Sequence, residues 1–397
     1  MNLLGTVALN LLTSFWVLQS AVALIKTRKA SRLFREHRRW LDAGVKSHEK
    51  RRVALIIAVK GISENFSDFL DFILGQDYPD YRVIFVTESE NDPAHGVIHQ
   101  RLGESNCFRL IVAGNAVCTG QKVHNQLAAF KILEATDRIV AFADGDLLGR
   151  IDWLSCLVLP LNLSQADCTT GYRWFIPANG SLPNRIIALI GTAIEPLIGP
   201  NWRICLWGGS MALTREVFEE LEIPVNLEGS INDDARISQL ARRSGKRMRY
   251  VRSVAAPSPV DFTWSSLFEF GRRQYLQLRV YQPLLWWMAL MIPLLFLVSF
   301  LICIVRLGSG NFLMFIPLGL AVVLNLARTK ARLGYLKARF DAGEATALET
   351  AVRGSWWLDP VVNVVHLLII LGSACGRVIV WAGIRYRISG PQKTEIL

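Results

Sequence analysis

Charged residues are scarce in this chain of 397 residues: they make up 19% of it, whereas 51% of the residues are hydrophobic. This composition excludes a disordered chain, which needs low hydrophobicity to remain unfolded. Acidic residues are the rarer of the two charge types, with 33 Asp and Glu against 44 Lys and Arg and a formal net charge of +11. Such a basic balance points to a nucleic acid or to an anionic membrane surface.

Paired cysteine motifs are absent. The seven cysteines are odd in number and scattered, and none forms a Cys-x-x-Cys motif. This excludes a zinc-ribbon type of site and a disulfide framework, and reduced thiols fit a domain that faces the cytoplasm. Internal repeats, low-complexity tracts and a recognisable nucleic-acid-binding module are also absent, so we expect no nucleic-acid partner.

Long uncharged runs account for much of the hydrophobicity, and the first covers residues 3–25. It is long enough to span the roughly 30 Å hydrocarbon core of a bilayer. A cleaved signal peptide is the alternative, but its basic residues precede a shorter apolar run, whereas here they follow a longer one. We therefore predict a transmembrane anchor over residues 1–27 and a basic juxtamembrane linker over residues 28–49. The positive charge after the anchor places the following chain in the cytoplasm.

Uncharged runs return near the other end, at 284–305 and 307–327, and a third apolar stretch at 361–384 is interrupted by Arg377. They predict a C-terminal membrane domain over residues 284–397 with two or three spans. A buried helix pair in a soluble protein is the alternative. The basic residues of the tail prefer the cytoplasmic side, which leaves a spanning, an interfacial and a re-entrant last segment open. Because much of the basic excess borders these runs, it favours anionic lipid as its partner.

Residues 50–265 are mixed in composition and long enough for one catalytic domain. Apolar runs rich in β-branched residues at 53–59, 81–86 and 138–143 predict buried strands. Their alternation with helical segments predicts an α/β fold with a parallel, doubly wound sheet. In such sheets ligands bind beyond the carboxyl ends of the strands, so the polar residues there are the candidate site.

Acidic residues cluster in three places: at 88–92 after the second strand, at Asp144 and Asp146 after the third, and at Asp233 and Asp234 before a helical segment. An Asp-x-Asp pair at a strand end can bind Mg²⁺ or Mn²⁺, which in turn bridges to substrate phosphates. Taken alone, each motif also fits a structural role. Asp-Gly is a common turn dipeptide, and paired acids favour a helix N-terminus.

These motifs, in this order, resemble family 2 glycosyltransferases with the A-type, nucleotide-sugar-binding fold, and more closely the ceramide glucosyltransferase group, family 21. The resemblance runs over nearly the whole chain, from the anchor to the tail segment 381–388. Its other motifs are at 59–61, 76–81, 91–94, 122–125, Asp144, 209–211 with Arg215, and 233–234.

The resemblance implies a Rossmann-like catalytic domain with transmembrane helices at both ends, and it assigns roles to individual residues. Asp234 would be the general base for the acceptor hydroxyl, supported by Asp233. The donor would be bound by Lys60, Glu88, Asp92, Lys122 and Asp144. A divalent metal, Mg²⁺ or Mn²⁺, would be held by Asp144 and Asp146. The acceptor side would be formed by Gly208, Gly209, Ser210 and Tyr275.

One motif departs from the family pattern, in a segment at the membrane border, residues 266–283. The family has Gln or Arg, two residues, and then Arg-Trp, but this chain has Gln274-Tyr275 in place of Arg-Trp. Arg272 and Arg273, with Gln274, are candidates for the donor diphosphate, because guanidinium groups pair well with phosphate oxygens. The alternative is that these arginines only extend to the membrane surface.

The expected activity is that of an integral membrane, inverting glycosyltransferase with a cytoplasmic catalytic domain. The resemblance implies transfer of a hexose, with glucose favoured, from a UDP-sugar to a lipid hydroxyl such as that of ceramide. A polysaccharide synthase and a catalytically silent membrane scaffold are the alternatives. The sequence does not predict an oligomeric state.

Overall fold

The structure is a computed structural model that describes residues 3–44, 50–102, 107–199 and 201–397. The first half of the chain forms, in order, α1 (Leu3–Gly44), β1 (Val53–Ala58), α2 (Phe66–Leu74), β2 (Tyr81–Thr87), α3 (Pro93–Leu102), β3 (Phe108–Val112), α4 (Gln121–Phe130), β4 (Ile139–Asp144), α5 (Trp153–Asn162), β5 (Cys168–Pro177) and α6 (Leu182–Ile194). Then follow β6 (Ser210–Thr214), α7 (Arg215–Glu220), α8 (Ile223–Leu227), α9 (Asp233–Arg243) and β7 (Met248–Val260).

The remainder of the chain forms α10 (Trp264–Tyr281), α11 (Pro283–Gly308), α12 (Phe315–Lys337), α13 (Ala342–Val352), α14 (Ser355–Ala374), β8 (Val378–Trp381), β9 (Ile384–Gly390) and β10 (Lys393–Ile396). Short 3-10 turns lie at Glu195–Leu197, Asn201–Arg203 and Phe312–Met314.

A seven-stranded sheet in the order β3-β2-β1-β4-β6-β5-β7 lies at the centre of the region predicted as the catalytic domain. The predicted strands β1, β2 and β4 are parallel, and their residues are almost all buried because helices cover both faces. The strand β3, which was not predicted, pairs in parallel with β2 at the edge of the sheet, and its residues are only partly buried or exposed. The strand β6 runs antiparallel to β4 and β5, which the sequence analysis did not predict. Because Ser210 pairs with Ala143, β6 enters the sheet at the edge where β4 ends.

The helix α1 extends further than the predicted anchor. Residues 28–44 of the segment predicted as a linker are helical, and residues 1–2 and 45–49 lie outside the described part of the chain. The spacing of this segment suits a helix, because Arg32 and Glu36 pair one turn apart with an N–O distance of 2.6 Å. Ala30, Phe34 and Leu41 are buried against the rest of the molecule.

Among the described residues, three helices are long and apolar enough to cross a membrane: Pro283–Gly308, Phe312–Lys337 and Ser355–Ala374. The first contains the predicted run at 284–305. The second overlaps the predicted run at 307–327 but begins later and continues to Lys337. The predicted third stretch, 361–384, is not one segment. The helix α14 ends at Ala374, and the chain turns at Gly376, whose φ of 73° suits glycine. The residues that follow form an antiparallel sheet in the order β10-β9-β8.

Candidate active site

The predicted polar residues gather where the central parallel strands end. The carboxylate of Asp92 accepts hydrogen bonds from the backbone N–H groups of Gly61, at 3.0 Å, and of Ala94, at 2.9 Å. It therefore connects the loop after β1 to the start of α3. Beside it, the Lys60 ammonium pairs with the Glu88 carboxylate at 2.9 Å. Glu88 follows β2, so the ends of β1 and β2 carry one connected polar surface.

Lys122 lies at the centre of the acidic cluster. Its Nζ is 2.7 Å from Oδ1 of Asp144 and 3.5 Å from Oδ2 of Asp233. Burial alone would lower the pKa of Lys122, but the carboxylates of Asp144, Asp233 and Asp234 outweigh it and raise that pKa above its usual value. Burial acts on Asp144 in the opposite sense, and the Lys122 charge outweighs it, so the pKa of Asp144 is lowered.

The two acids of α9 have different surroundings. Asp233 is fully buried, and its Oδ2 also accepts a 2.6 Å hydrogen bond from Nε2 of Gln126. Asp234 is half-buried, and its Oδ2 accepts a 2.7 Å hydrogen bond from the Gly208 N–H. Burial and the charge of Asp233 raise the pKa of Asp234 to about 7, although Lys122 opposes the shift. Asp233 is thus fixed in place, while Asp234 is partly open and has the pKa of a general base that works near neutral pH.

Two glycines bring the backbone close to these acids. A Cβ added at Gly208 would lie 2.8 Å from an Asp233 oxygen, and one at Gly209 would lie 2.5 Å from Oδ2 of Asp144. No side chain larger than hydrogen fits without displacement of the carboxylates. Ser210 is different: it is fully buried, and its hydroxyl accepts a 2.9 Å hydrogen bond from the Trp153 indole. It therefore lies beneath the site surface.

Asp144 and Asp146 are each paired with a cation of the chain. Asp144 contacts Lys122, and the more exposed Asp146 accepts a 3.0 Å bond from Arg173. Within the described residues, no three His, Cys, Asp or Glu side chains come together to hold a metal ion. Two carboxylates are nonetheless enough for Mg²⁺ when substrate phosphates and water complete its ligands. The hard oxygen atoms present therefore fit a metal of this type.

The 272–275 segment lies on α10, and its members point to different partners. Arg272 donates to the carbonyl oxygens of Gly372, Cys375 and Val378 at 2.9–3.1 Å, so its guanidinium caps the end of α14. Tyr275 is half-buried and bonds through its hydroxyl to His366 of α14, and Gln274 is exposed.

Arg273 forms no direct ion pair with an acid of the described residues. Its guanidinium stacks 5.5 Å from the ring centres of Phe270 and Trp381, and Trp381 belongs to β8. Burial lowers the pKa of Arg273, the Glu269 carboxylate opposes that shift, and the charge of Arg173 adds to it. Arg173 and Arg273 are therefore close enough to interact electrostatically. Together they form a cationic surface beside the Asp-x-Asp pair.

Sequence reasoning missed three residues of the site. Gln126 follows Lys122 by one helical turn, a spacing that places both on one face and could have revealed it. Arg173 interrupts a mostly apolar strand, which is a weaker signal. Tyr386 of the tail has no local signal. Its buried hydroxyl accepts a 3.2 Å hydrogen bond from the Gln121 N–H, and it lies near Lys60 and Glu88.

Comparisons with known proteins find a matching family and a similar solved structure. The profile of glycosyl transferase family 21 matches residues 12–394. Among solved structures, the mannosyltransferase PcManGT from Pyrobaculum calidifontis in complex with GDP-Man and Mn2+ aligns with a TM-score of 0.48 and 16% identity, over 91% of this chain and 99% of that one. None of the curated protein sequences matches the chain. The family match covers almost the full length, and the chain therefore belongs to glycosyl transferase family 21 and is a glycosyltransferase.

Proposed function

We propose that this protein is a membrane-bound, inverting glycosyltransferase that transfers a hexose, with glucose favoured, from a UDP-sugar to a lipid hydroxyl such as that of ceramide. One observation carries the proposal. The Asp234 carboxylate, held by the Gly208 N–H at 2.7 Å, lies half-open beside the Lys122–Asp144 pair at the carboxyl edge of the sheet. A base and a set of charged groups for a leaving diphosphate are therefore next to each other.

In the proposed reaction, Asp234 removes the proton of the acceptor hydroxyl while the oxygen of that hydroxyl attacks the anomeric carbon of the donor sugar. The bond from that carbon to the diphosphate oxygen breaks, and UDP leaves with the electron pair. A single displacement of this kind inverts the anomeric centre. Asp233 does not take part directly, because Lys122 and Gln126 already engage it; its role is to keep Asp234 basic and in place.

Negative charge that develops on the diphosphate needs cationic partners. Lys122, Arg173 and Arg273 are the candidates. Asp92, with Lys60 and Glu88, would hold the nucleoside part of the donor in the loops that follow β1 and β2. We do not include Arg272 among the donor contacts, because its guanidinium caps α14 through three hydrogen bonds.

A divalent metal would be held by Asp144 and Asp146. Its chemistry, when bound, is to neutralise the diphosphate and to orient it. Asp146 could turn towards it without loss of a buried contact, because 47% of its side chain is exposed. Lys122 would remain with Asp144 and Asp233.

The choice of a lipid acceptor rests on the apolar helices that lie next to the site. The helices α1, α11 and α12 pack on one another through Trp16, whose ring meets Phe296 and Phe300 edge-to-face. We propose that these three helices cross the membrane. The basic residues that follow the apolar part of α1 then place the catalytic domain in the cytoplasm.

The first test is a donor and acceptor screen with the purified protein in vesicles. Labelled UDP-sugars and GDP-mannose are offered with ceramide or extracted lipids, and the products are identified by mass spectrometry. We expect a monoglycosylated lipid with an inverted anomeric centre. A soluble or polymeric product would contradict the lipid acceptor, and a lack of any product would favour a silent scaffold.

The second test is Asp234→Asn. Loss of a general base typically lowers the rate by about 10²- to 10⁴-fold, and we expect kcat to fall within that range. The matched control is Asp68→Asn, an exposed aspartate in the first turn of α2, which should retain full activity. Unchanged activity of Asp234→Asn would remove Asp234 as the base.

A further inference from the structure

The helix bundle has two distinguishable ends. At one end, Phe34 and Leu41 of α1 pack into the cores that contain the catalytic sheet and its covering helices. At the other end, the Arg306 guanidinium of α11 bonds to the Asn10 side chain of α1 at 2.6 Å. We refer to these as the catalytic end and the far end. A helix that crosses the membrane beside α11 must extend from the catalytic end to the far end.

The start of α14 lies at the catalytic end. The Arg185 side chain of α6 donates a 3.0 Å hydrogen bond to the Arg353 carbonyl just before α14 begins. Ser355 then bonds to Thr329 at 2.9 Å. Thr329 belongs to the second half of α12, and the end of this helix contacts the catalytic domain through the hydrogen bond of Tyr335 to Glu195.

The other end of α14 also lies at the catalytic end. Ser373 accepts a 2.9 Å hydrogen bond from the Trp286 indole, and Trp286 is in the first turn of α11. The last carbonyls of α14 are capped by Arg272 and Arg279 of α10. The tail sheet that follows contacts the catalytic domain again, because the Arg236 guanidinium bonds to the Gln392 side chain at 2.7 Å.

These contacts exclude a transmembrane course in this structure. At about 1.5 Å per residue, α14 is about 30 Å long and α11 about 39 Å. If α14 began at the catalytic end and crossed beside α11, Ser373 would lie level with the last two turns of α11, towards the far end. It meets Trp286 instead. The helix thus runs from the catalytic end of α12 to the catalytic end of α11, across the bundle.

One face of α14 lacks a protein partner among the described residues, and that face is apolar. Its exposed members recur at helical spacing and lie within about 80° of one another around the axis. They are Trp357, Val361, Val364, Leu368 and Leu371, each between 40% and 55% exposed. The opposite face is buried, because Val365 and Ile369 pack against the domain core.

We propose that α14 lies flat in the membrane surface on the cytoplasmic side, with this apolar stripe in the bilayer, and that the tail sheet stays on the side of the catalytic domain. The bilayer is the fitting occupant because the stripe continues the apolar surfaces of α11 and α12 where they leave the catalytic domain. Arg353 and Arg377, both exposed, flank the helix and suit anionic head groups. The proposal rests on the membrane placement of α11 and α12 in the proposed function.

Thiol accessibility in sealed vesicles with the catalytic domain outside tests the proposal. The exposed cysteines Cys107, Cys118 and Cys205 are replaced by serine, which leaves Cys375 directly after α14. Arg353→Cys reports the start of α14, and Ser309→Cys reports the turn between α11 and α12. An impermeant maleimide should label positions 353 and 375 at once, and position 309 only after the vesicles are opened with detergent. Thermal unfolding confirms that each variant is folded.

The outcomes distinguish an error in the placement of α14 from an error in the membrane crossing of α11 and α12. Protection of Cys375 with labelling at 353 would show that α14 spans the membrane and would overturn the proposal. Immediate labelling at 309 would refute the crossing of α11 and α12, and the proposal with it, whereas it would leave the assignment of Asp234 untouched.

A fluorophore on Leu368→Cys tests the occupant of the stripe. In vesicles that carry nitroxide lipids, a shallow label near the head group should quench it more than a label at the acyl-chain end. Stronger quenching by the deep label would contradict an interfacial helix. An absence of quenching by both would mean that protein, such as a second copy of the chain, covers the stripe.

Discussion

At the scale of single residues, the site places three carboxylates around one ammonium group. Lys122 contacts Asp144 and Asp233 directly, and Asp234 is the acid of the cluster with the strongly raised pKa. The three acids therefore have different roles in the site. Lys122 lowers the pKa of Asp144, whereas burial and the negative charge of Asp233 raise the pKa of Asp234 to about 7, so Asp234 is the carboxylate that can take up a proton near neutral pH.

This arrangement predicts the pH dependence of the reaction. A base must be ionised to accept a proton, so kcat/KM should fall as the pH drops through the pKa of Asp234, about 7. Asp233→Asn removes the neighbouring negative charge and should lower that pKa. The acid limb of the pH profile should then move to lower pH. A general loss of activity with an unmoved limb would contradict the electrostatic role of Asp233.

The close approach at Gly209 predicts a steric effect. In Gly209→Ala, the new Cβ would lie 2.3 Å from the Trp207 ring and 2.5 Å from Oδ2 of Asp144. Displacement of a catalytic group by about 1 Å can lower a rate on the order of 100-fold, and we expect a loss of that size. The control is Gly180→Ala, where nothing lies within 4 Å. Equal activity of both variants would show that the site tolerates the displacement.

At the scale of elements, α10 carries both a structural and a candidate functional arginine in adjacent positions. Arg272 donates to the carbonyls of Gly372 and Cys375 at the end of α14 and to that of Val378 in β8. Arg273 stacks on two aromatic rings and lies near Arg173. The family pattern alone could not separate them, because adjacent residues on a helix differ by about 100° in direction and only the neighbouring elements show which faces the site.

Replacing each of the two arginines in turn by glutamine tests their roles separately. Arg272→Gln removes hydrogen bonds from a charged donor to three carbonyl oxygens, so we expect a loss of about 1–3 kcal/mol in stability and little change in donor KM. Arg273→Gln should leave the unfolding temperature nearly unchanged and raise the donor KM about 10- to 100-fold, since a charge-assisted contact to the diphosphate is lost. Donor titrations and thermal unfolding of both variants measure the two effects. The reverse pattern would exchange the roles of the two arginines.

At the scale of the whole molecule, a buried network joins the proposed membrane helices to the catalytic domain. Glu195, which is fully buried, accepts hydrogen bonds from Tyr250 and Arg252 of β7 and from Tyr335 of α12, at 2.6–2.9 Å. Arg339, just past the end of α12, lies 3.7 Å from the same carboxylate. The Glu195 carboxylate therefore neutralises two positive charges, those of Arg252 and Arg339, at the junction.

Loss of this acid should weaken the junction. Glu195→Gln leaves Arg252 and Arg339 uncompensated, and removal of one partner from a buried ion pair costs about 3–5 kcal/mol. The control is Glu36→Gln, which breaks an exposed pair with Arg32 and should leave the unfolding temperature nearly unchanged, because solvent screens such a pair. Thermal unfolding in detergent or nanodiscs measures both. Similar small effects would mean that the network does not carry the junction.

The strands β1, β2 and β4, and the acids that follow β2 and β4, were predictable, because these buried strands have continuous apolar runs and acids at strand ends stand out against them. The edge strand β3 was not predicted, since its residues are only partly buried or exposed. The antiparallel course of β6 was not, since strand direction depends on which neighbour the chain meets after a long excursion. The hydrogen-bond partners of Asp146 and Arg272 were not predictable either. The partner of Asp146, Arg173, lies 27 positions away along the chain, and the end of α14, which Arg272 contacts, lies about 100 positions away.

The sequence by itself determined the class of the protein: a sparsely charged chain whose apolar runs lie at its ends and whose few acids follow the strands in the middle. These are local patterns, and composition and periodicity are enough to find them. Only the tertiary structure decided how these parts meet. The helix α14 has the length and hydropathy of a membrane span, yet contacts at both of its ends hold it to one end of the bundle. Length and composition describe a helix alone, whereas its course is fixed by the hydrogen bonds and packing that join it to residues far away in the chain.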